Sequence, residues 1–245
     1  MNIAFLLTTL AGLSTMIGIF PIFIHTKKEN YLISGTLSFA SGVMITVSIT
    51  DLIPESINLL RYNIKGIYVC VYSLIFILLG IYTSFIIDKY ITKKKENNSL
   101  YKLGIISMLA IILHNIPEGI ITYISTTKNI KLGIKLATVI AIHNIPEGIS
   151  IGVPIYYGTK SKLKTITYIF ISALSELLGA VLTYLFLLPL INNLILGLLF
   201  SFTGGIMIHI SLGELLPNSK NYSNNYITYL FFIIGIITML LKIIL

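Results

Sequence analysis

The string His-Asn-Ile-Pro-Glu-Gly occurs twice in the chain, at residues 114–119 and 143–148. In each copy the histidine and the glutamate are four residues apart, so a helix places them on one face, about 6 Å apart along its axis. An imidazole and a carboxylate on one face are common ligands of divalent metal ions. Both copies lie in long apolar stretches, where a charged side chain costs about 3 kcal/mol or more unless it faces protein, water or an ion. The repeat therefore predicts a metal site in which each helix offers two ligands to one centre, and the four residues are His114, Glu118, His143 and Glu147.

Three neighbouring features extend this prediction. Asn115 and Asn144 follow the histidines, one position round the helix, and are expected to point towards an adjacent centre. Pro117 and Pro146 donate no backbone hydrogen bond, so each helix should kink there and leave a carbonyl that needs water, a side chain or an ion. A third glutamate, Glu176, lies in the small-residue run SALSELLGA, which suits close helix packing, and it can complete the site.

Most acidic residues of the chain lie in apolar stretches, where a charged side chain costs free energy. Six of the nine lie in apolar stretches, namely Asp51, Glu55, Glu118, Glu147, Glu176 and Glu214. Ionised and facing lipid, they would together cost on the order of 15–20 kcal/mol, so they must face one another, water or cations. Asp51 directly precedes a Leu-Ile-Pro bend and is a further candidate metal ligand. The roles of Glu55, His209 and Glu214 stay open.

The composition indicates an integral membrane protein. Of 245 residues, 56% are hydrophobic and 11% charged, against roughly 25% charged in a soluble domain. The net charge of +8 does not indicate nucleic-acid binding, because the lysines lie in short segments between apolar runs. The sequence predicts an all-α, polytopic protein, a single transmembrane domain of residues 1–245 whose longest connection is a polar cytoplasmic loop at 88–99. Eight runs of spanning length lie at about 3–24, 31–57, 64–87, 101–126, 132–157, 165–189, 194–217 and 226–245.

The distribution of lysine and arginine predicts the membrane topology. The segments after the first, third, fifth and seventh runs hold eleven of the 17 basic residues, and the opposite side holds six. The positive-inside rule places the eleven in the cytoplasm. We therefore expect a multi-pass protein of the cell membrane with both termini extracytoplasmic.

A second internal repeat pairs distant helices. Residues 38–56 (SFASGVMITVSITDLIPES) and 201–219 (SFTGGIMIHISLGELLPNS) match at nine of nineteen positions, and LSTMIG at 13–18 weakly echoes LSELLG at 174–179. Helices 1–3 thus resemble helices 6–8, helix 4 resembles helix 5, and each pair runs in opposite directions across the membrane. Inverted repeats with a polar site at their interface are typical of secondary transporters.

Together, the paired motifs, SELLG in the sixth helix and the eight-helix pattern resemble the ZIP family of divalent metal transporters, most closely its bacterial ZupT branch. The resemblance covers the whole chain and implies two adjacent metal positions. It implies that the first uses both histidines and both glutamates of the motifs, with Asp51 as a further ligand. It implies that the second uses Asn115, Glu118, Asn144, Glu147 and Glu176.

The ligand types favour Zn²⁺ at the imidazole–carboxylate position, with Fe²⁺, Mn²⁺ and Co²⁺ as further candidates, and harder ions at the all-oxygen position. The expected partners are divalent cations and the lipid bilayer, with no nucleic acid and no prosthetic group; a homodimer is a further candidate assembly. An intramembrane metalloprotease would need a glutamate directly after a motif histidine, where Asn115 and Asn144 stand. An ATP-driven pump lacks a phosphate-binding loop of the right spacing. The sequence does not separate a carrier from a metal-selective channel, although inverted repeats favour the carrier.

Overall fold

The computed structural model describes residues 2–24, 26–92, 99–188, 190 and 192–241. Within these residues the chain forms eight consecutive helices and no strand. They are α1 (Asn2–Phe23), α2 (Glu29–Leu60), α3 (Tyr68–Thr92), α4 (Ser99–Lys128), α5 (Ile130–Thr159), α6 (Lys162–Leu187), α7 (Asn193–Lys220) and α8 (Asn225–Leu241).

Seven of these helices, α1 to α7, are long and apolar enough to cross a membrane. The described part of α8 has 17 residues and is equally apolar. This confirms the predicted all-α, polytopic membrane protein. The predicted loop at 88–99 is shorter than expected, because α3 continues to Thr92 and α4 begins at Ser99. Residues 93–98, which include Lys93, Lys94 and Lys95, lie outside the described residues.

A one-residue connection sets the geometry of the two motif helices. Asn129 alone separates α4 from α5, and its Oδ1 accepts hydrogen bonds from the backbone N–H groups of Lys131 (3.0 Å) and Leu132 (3.3 Å). This side-chain cap satisfies donors at the start of α5 and fixes the turn. Such a short link makes α4 and α5 antiparallel neighbours. Because His114 and His143 lie 15 and 14 residues from Asn129, the two motif copies come to the same depth.

The inverted repeat is visible as two equivalent helix pairs. A methyl group added at Gly42 or Gly235 would overlap a carbonyl oxygen of the facing helix, so α2 and α8 are in backbone contact. Gly80 and Gly205 make the same reciprocal approach between α3 and α7. Small residues permit this separation in membranes, where close packing substitutes for the hydrophobic effect. Each pair is therefore tightly packed along its length.

The repeat also reproduces a local irregularity. Helix α2 widens into a π turn over Ser48–Leu52, and α7 does so over Ile210–Leu215. In each helix a proline, Pro54 or Pro217, follows the wide turn. The wider turn makes room for the proline ring, which otherwise clashes with the preceding turn of an α-helix. Helix α1 is irregular in another way, since it tightens into 3₁₀ geometry over Ser14–Phe23.

Candidate metal centre

The two copies of the motif face each other in crossed pairs. Nε2 of His114 lies 2.8 Å from Oε1 of Glu147, and Nε2 of His143 lies 3.3 Å from Oε1 of Glu118. Each histidine therefore lies next to the glutamate of the other helix, and the prediction that each helix offers two ligands to one centre stays a prediction. Because α4 and α5 run antiparallel, the histidine of one copy lies opposite the glutamate of the other. Each helix contributes one residue to each pair.

These side chains are buried. His114, Asn115 and Glu147 are 0% exposed, and Glu118 and His143 are 1% and 3% exposed. Several of their polar atoms have no hydrogen-bond partner in the described structure: both polar atoms of Asn115 and Oε2 of Glu147. Buried polar atoms are normally paired, and a buried carboxylate needs a partner most of all. The donor set, imidazole nitrogen with carboxylate and amide oxygen, suits a divalent cation.

Glu176 joins the motif from α6. Asn144 donates one hydrogen bond to Oε1 of Glu176 and another to the carbonyl of Ala11 in α1, at 2.9 Å. Both Asn144 and Glu176 are 0% exposed. Oδ1 of Asn144 and Oε2 of Glu176 have no hydrogen-bond partner in the described structure. The asparagine and the histidine of the second motif thus face different partners, Glu176 and Glu118 respectively.

The predicted residues are brought together as pairs rather than as one preformed cage. In the parts of the chain that the structure describes, no three His, Cys, Asp or Glu side chains form a group that could hold a metal ion. Each histidine instead lies within 2.8–3.3 Å of a glutamate oxygen of the other motif copy. Shared coordination would require the Glu118 and Glu147 side chains to turn from their histidines towards one ion.

A cavity of about 380 Å³ leads to this group of residues. Glu118 and His143 lie at its buried end, and Glu55 and Lys135 lie at its exposed end. Asp51 lies in the cavity wall, where its Oδ2 accepts a hydrogen bond from Thr50 at 3.2 Å. Asp51 therefore lines the same cavity as Glu118 and His143.

Sequence reasoning missed Lys135 and Asn58 as cavity residues. Lys135 is one of the six basic residues on the side poor in lysine and arginine, and Lys135, Val139 and His143 follow one another at four-residue spacing. That spacing places them on one face of α5, and all three line the cavity. Asp51, Glu55 and Asn58 on α2 are spaced by four and three residues, and they also line the cavity. Both residues could be predicted from the sequence as members of the helix faces that carry His143 and Asp51.

An apolar layer lies on the opposite side of the site. Ile111, Ile151, Ile155 and Ile169 pack together, and each is 0% exposed. Ile111 is one turn from His114, and Ile151 is one turn from Glu147. Partly buried aromatic residues pack against the layer, with the hydroxyl oxygens of Tyr101 and Tyr168 2.9 Å apart. The site is thus open on one side and closed on the other.

These features define a class: polytopic helical membrane proteins built from inverted repeats around a buried polar site. The sequence profile described as ZIP Zinc transporter matches residues 93–242. The Zinc transporter ZupT of Streptococcus mutans is 37% identical over 258 residues, which cover 99% of this chain and 97% of that protein. The Zinc transporter ZupT of Oceanobacillus iheyensis is 37% identical over 263 residues, covering 100% of this chain and 98% of that one. The chain belongs to the ZIP family, as the motifs predicted.

Proposed function

We propose that the protein is a secondary transporter that brings divalent metal cations, Zn²⁺ first, into the cytoplasm. Membership of the ZIP family makes it a membrane transporter rather than an enzyme. Two of its relatives are named zinc transporters, and they align over nearly the whole chain. The observation that carries the proposal is the crossed His–Glu pairs, buried at the end of a cavity that reaches the surface.

The proposed route contains two metal positions that share Glu118 and Glu147. The first uses these carboxylates with His114 and His143, and Asp51 supplies a carboxylate on the way in. An imidazole–carboxylate set suits Zn²⁺ and accepts Fe²⁺, Co²⁺ and Mn²⁺. Support comes from the unpartnered Oε2 of Glu147, which is buried where polar atoms are normally paired.

The second proposed position has amide and carboxylate oxygens only. Asn115, Asn144 and Glu176 would supply them, together with the two shared glutamates. An all-oxygen set favours harder ions such as Mn²⁺ and Fe²⁺. The hydrogen bond between Asn144 and Glu176, and the unpartnered atoms of Asn115, support this assignment. With two adjacent positions, one cation could remain bound while the other dissociates.

The direction of access follows from charge. The cavity mouth with Lys135 lies at the end of the bundle where α2 ends and α5 begins, which is the side poor in lysine and arginine. By the positive-inside rule this side is extracytoplasmic, and both termini lie there too. In the proposed plasma-membrane orientation, metal enters from outside and the isoleucine layer closes the cytoplasmic side. Residues 1–245 form one transmembrane domain in this proposal, surrounded by lipid, and a homodimer is its candidate assembly.

Zn²⁺ uptake into liposomes containing purified protein tests the proposal. Glu118→Ala and Glu147→Ala should each abolish saturable uptake while the protein still inserts and folds, because a shared carboxylate is lost from both positions. Glu29→Ala is the matched control, since Glu29 is exposed and pairs with Lys160 on the surface. Such a surface pair contributes at most about 1 kcal/mol. Competition by Fe²⁺, Mn²⁺ and Co²⁺ orders the preferences.

Undiminished uptake in Glu147→Ala would exclude the motif residues as the route. A metal-selective channel is the second candidate, and counter-flow separates it from a carrier. Unlabelled Zn²⁺ trapped inside should accelerate entry of labelled Zn²⁺ through a carrier and slow it through a channel. The closed isoleucine layer opposite an open cavity favours the carrier.

A further inference from the structure

Helices α1 and α6 pack on the two motif helices in equivalent ways. A methyl group added at Gly119 in α4 would overlap the carbonyl oxygen of Glu176 in α6. A methyl group added at the matching Gly148 in α5 would overlap the carbonyl oxygen of Thr15 in α1. Since Gly119 and Gly148 are the last residues of the two motif copies, Thr15 occupies the position on α1 that Glu176 occupies on α6.

Two further contacts support this equivalence. Ser14 donates to the carbonyl of Ala11 at 2.6 Å, and Ser175 donates to the carbonyl of Ser172 at 2.5 Å. Each serine directly precedes the residue in question, Thr15 or Glu176. The weak sequence echo between the first and sixth helices is therefore a structural correspondence, and Thr15 is the counterpart of a proposed metal ligand.

The face of α1 that carries Thr15 borders the site directly. The carbonyl of Ala11 accepts a hydrogen bond from Asn144. A methyl group added at Gly12 would lie 3.1 Å from the Cβ atom of Glu176. Thr15 follows these two residues by four and three positions, so it lies on the same face of the helix, one turn along.

The hydroxyl of Thr15 is buried without a partner. Thr15 is 0% exposed, and its Oγ1 makes no hydrogen bond in the described structure. A helical threonine commonly bonds to the carbonyl four residues earlier, as Thr8 does with Ala4 at 2.9 Å. For Thr15 that carbonyl belongs to Ala11 and already accepts from Ser14 and Asn144. The hydroxyl is therefore left available in a region where unpaired polar groups are costly.

We propose that the hydroxyl of Thr15 is a further ligand of the transported cation at the all-oxygen position, opposite Glu176. The symmetry of the repeat would place Thr15 beside Asn115, as Glu176 lies beside Asn144, and both polar atoms of Asn115 also lack hydrogen-bond partners. Together Thr15 and Asn115 present neutral oxygen donors, and Glu176 presents a charged one. Neutral oxygens suit hard cations and add no negative charge to a position that already has three carboxylates. The inference rests on the proposed function, because it adds a ligand to the same site.

Loss of the Thr15 hydroxyl should weaken the binding of hard cations more than the binding of Zn²⁺. Thr15→Val keeps the volume and removes the oxygen, so Mn²⁺ affinity measured by calorimetry should fall roughly two- to tenfold, with a smaller change for Zn²⁺. Thr15→Ser should restore the Mn²⁺ affinity. Thr8→Val is the matched control, because it removes a buried hydroxyl of the same helix that bonds only to its own backbone. Equal losses of Mn²⁺ and Zn²⁺ affinity, or failure of serine to rescue, would indicate a packing role and overturn the inference.

A spectroscopic test reports the contact itself. Thr15→Cys in a Cys70→Ser background, which removes the chain's single cysteine, should give a sulfur-to-cobalt charge-transfer band when Co²⁺ is added. Thr8→Cys in the same background should give none. Co²⁺ binding to Thr15→Cys without that band would overturn the ligand assignment and leave the proposed function standing. Absence of Co²⁺ and Zn²⁺ binding in the unmodified protein would instead count against the proposed function.

Discussion

Close contact between the backbones of α4 and α6 should be essential for the site. Glu176 reaches Asn144 only while its helix touches Gly119, where a Cβ atom would overlap the Glu176 carbonyl oxygen. Gly119→Ala therefore forces the two helices apart at the level of the proposed ligands. The substitution adds one methyl group and alters no charge or hydrogen-bonding group, so its effect is steric.

The size of the effect follows from the overlap. Real Cβ atoms essentially never approach other heavy atoms closer than 3.0 Å, and backbone cannot turn aside as a side chain can. Relief requires a helix displacement on the order of 1 Å. Overpacking of this kind costs about 1–3 kcal/mol. If that energy is lost from the metal-bound arrangement, metal affinity falls roughly 5- to 150-fold.

Zn²⁺ and Mn²⁺ binding to purified Gly119→Ala, measured by calorimetry beside liposome uptake, tests this expectation. Mn²⁺ should suffer more, because Glu176 belongs to the proposed all-oxygen position. Gly204→Ala is the matched control: it is also a helical glycine, but its new methyl group would lie 3.4 Å from Ile53, an ordinary contact. Affinities within about twofold of the unmodified protein in Gly119→Ala would refute the reasoning.

Three other substitutions probe different parts of the route. Asn115→Ala should change metal preference more than total Zn²⁺ flux; equal losses of Zn²⁺ and Fe²⁺ uptake would contradict the two-position assignment. Lys135→Ala removes a cation from the cavity mouth and should raise Zn²⁺ uptake at low ionic strength but not in high salt, because exposed charges are screened; a gain that persists in high salt would argue against electrostatics. Ile155→Asn places a polar group in the closed apolar layer and should add a non-saturable component to uptake, whereas fully saturable kinetics would show that the layer is not the barrier.

Part of this architecture is predictable from sequence because it depends on periodicity and repetition. The eight helices follow from apolar runs, and the facing of the two motifs follows from their short separation around Asn129. The crossed pairing of His114 with Glu147 does not follow from either motif copy taken alone. Spacing within a helix places His114 and Glu118 on one face, but the antiparallel partner decides which bond forms. That choice is tertiary and leaves no trace in either copy alone.

Other features depend on which acceptor is already occupied. Thr15 looks like an ordinary buried threonine until the carbonyl of Ala11 is seen to accept from both Ser14 and Asn144. The end of the third helix was also predicted imperfectly. The change from apolar to polar residues at position 88 predicted that the helix ends there, but it continues to Thr92. Polarity marks where a helix can leave the membrane, and backbone hydrogen bonding decides where it ends.

The arrangement of the repeats indicates how access to the site can alternate. Glycine contacts bind α2 to α8 and α3 to α7, while other glycine contacts bind α1 to α5 and α4 to α6 around the metal ligands. The cavity lies between these two groups, with Asp51 and Phe200 on one wall and Glu118 and His143 on the other. Buried apolar side chains of both groups also pack in one cluster. In the proposed transport cycle the two groups would move against each other across this contact, and the ligands, which all lie in the second group except Asp51, would travel together with the ion they hold.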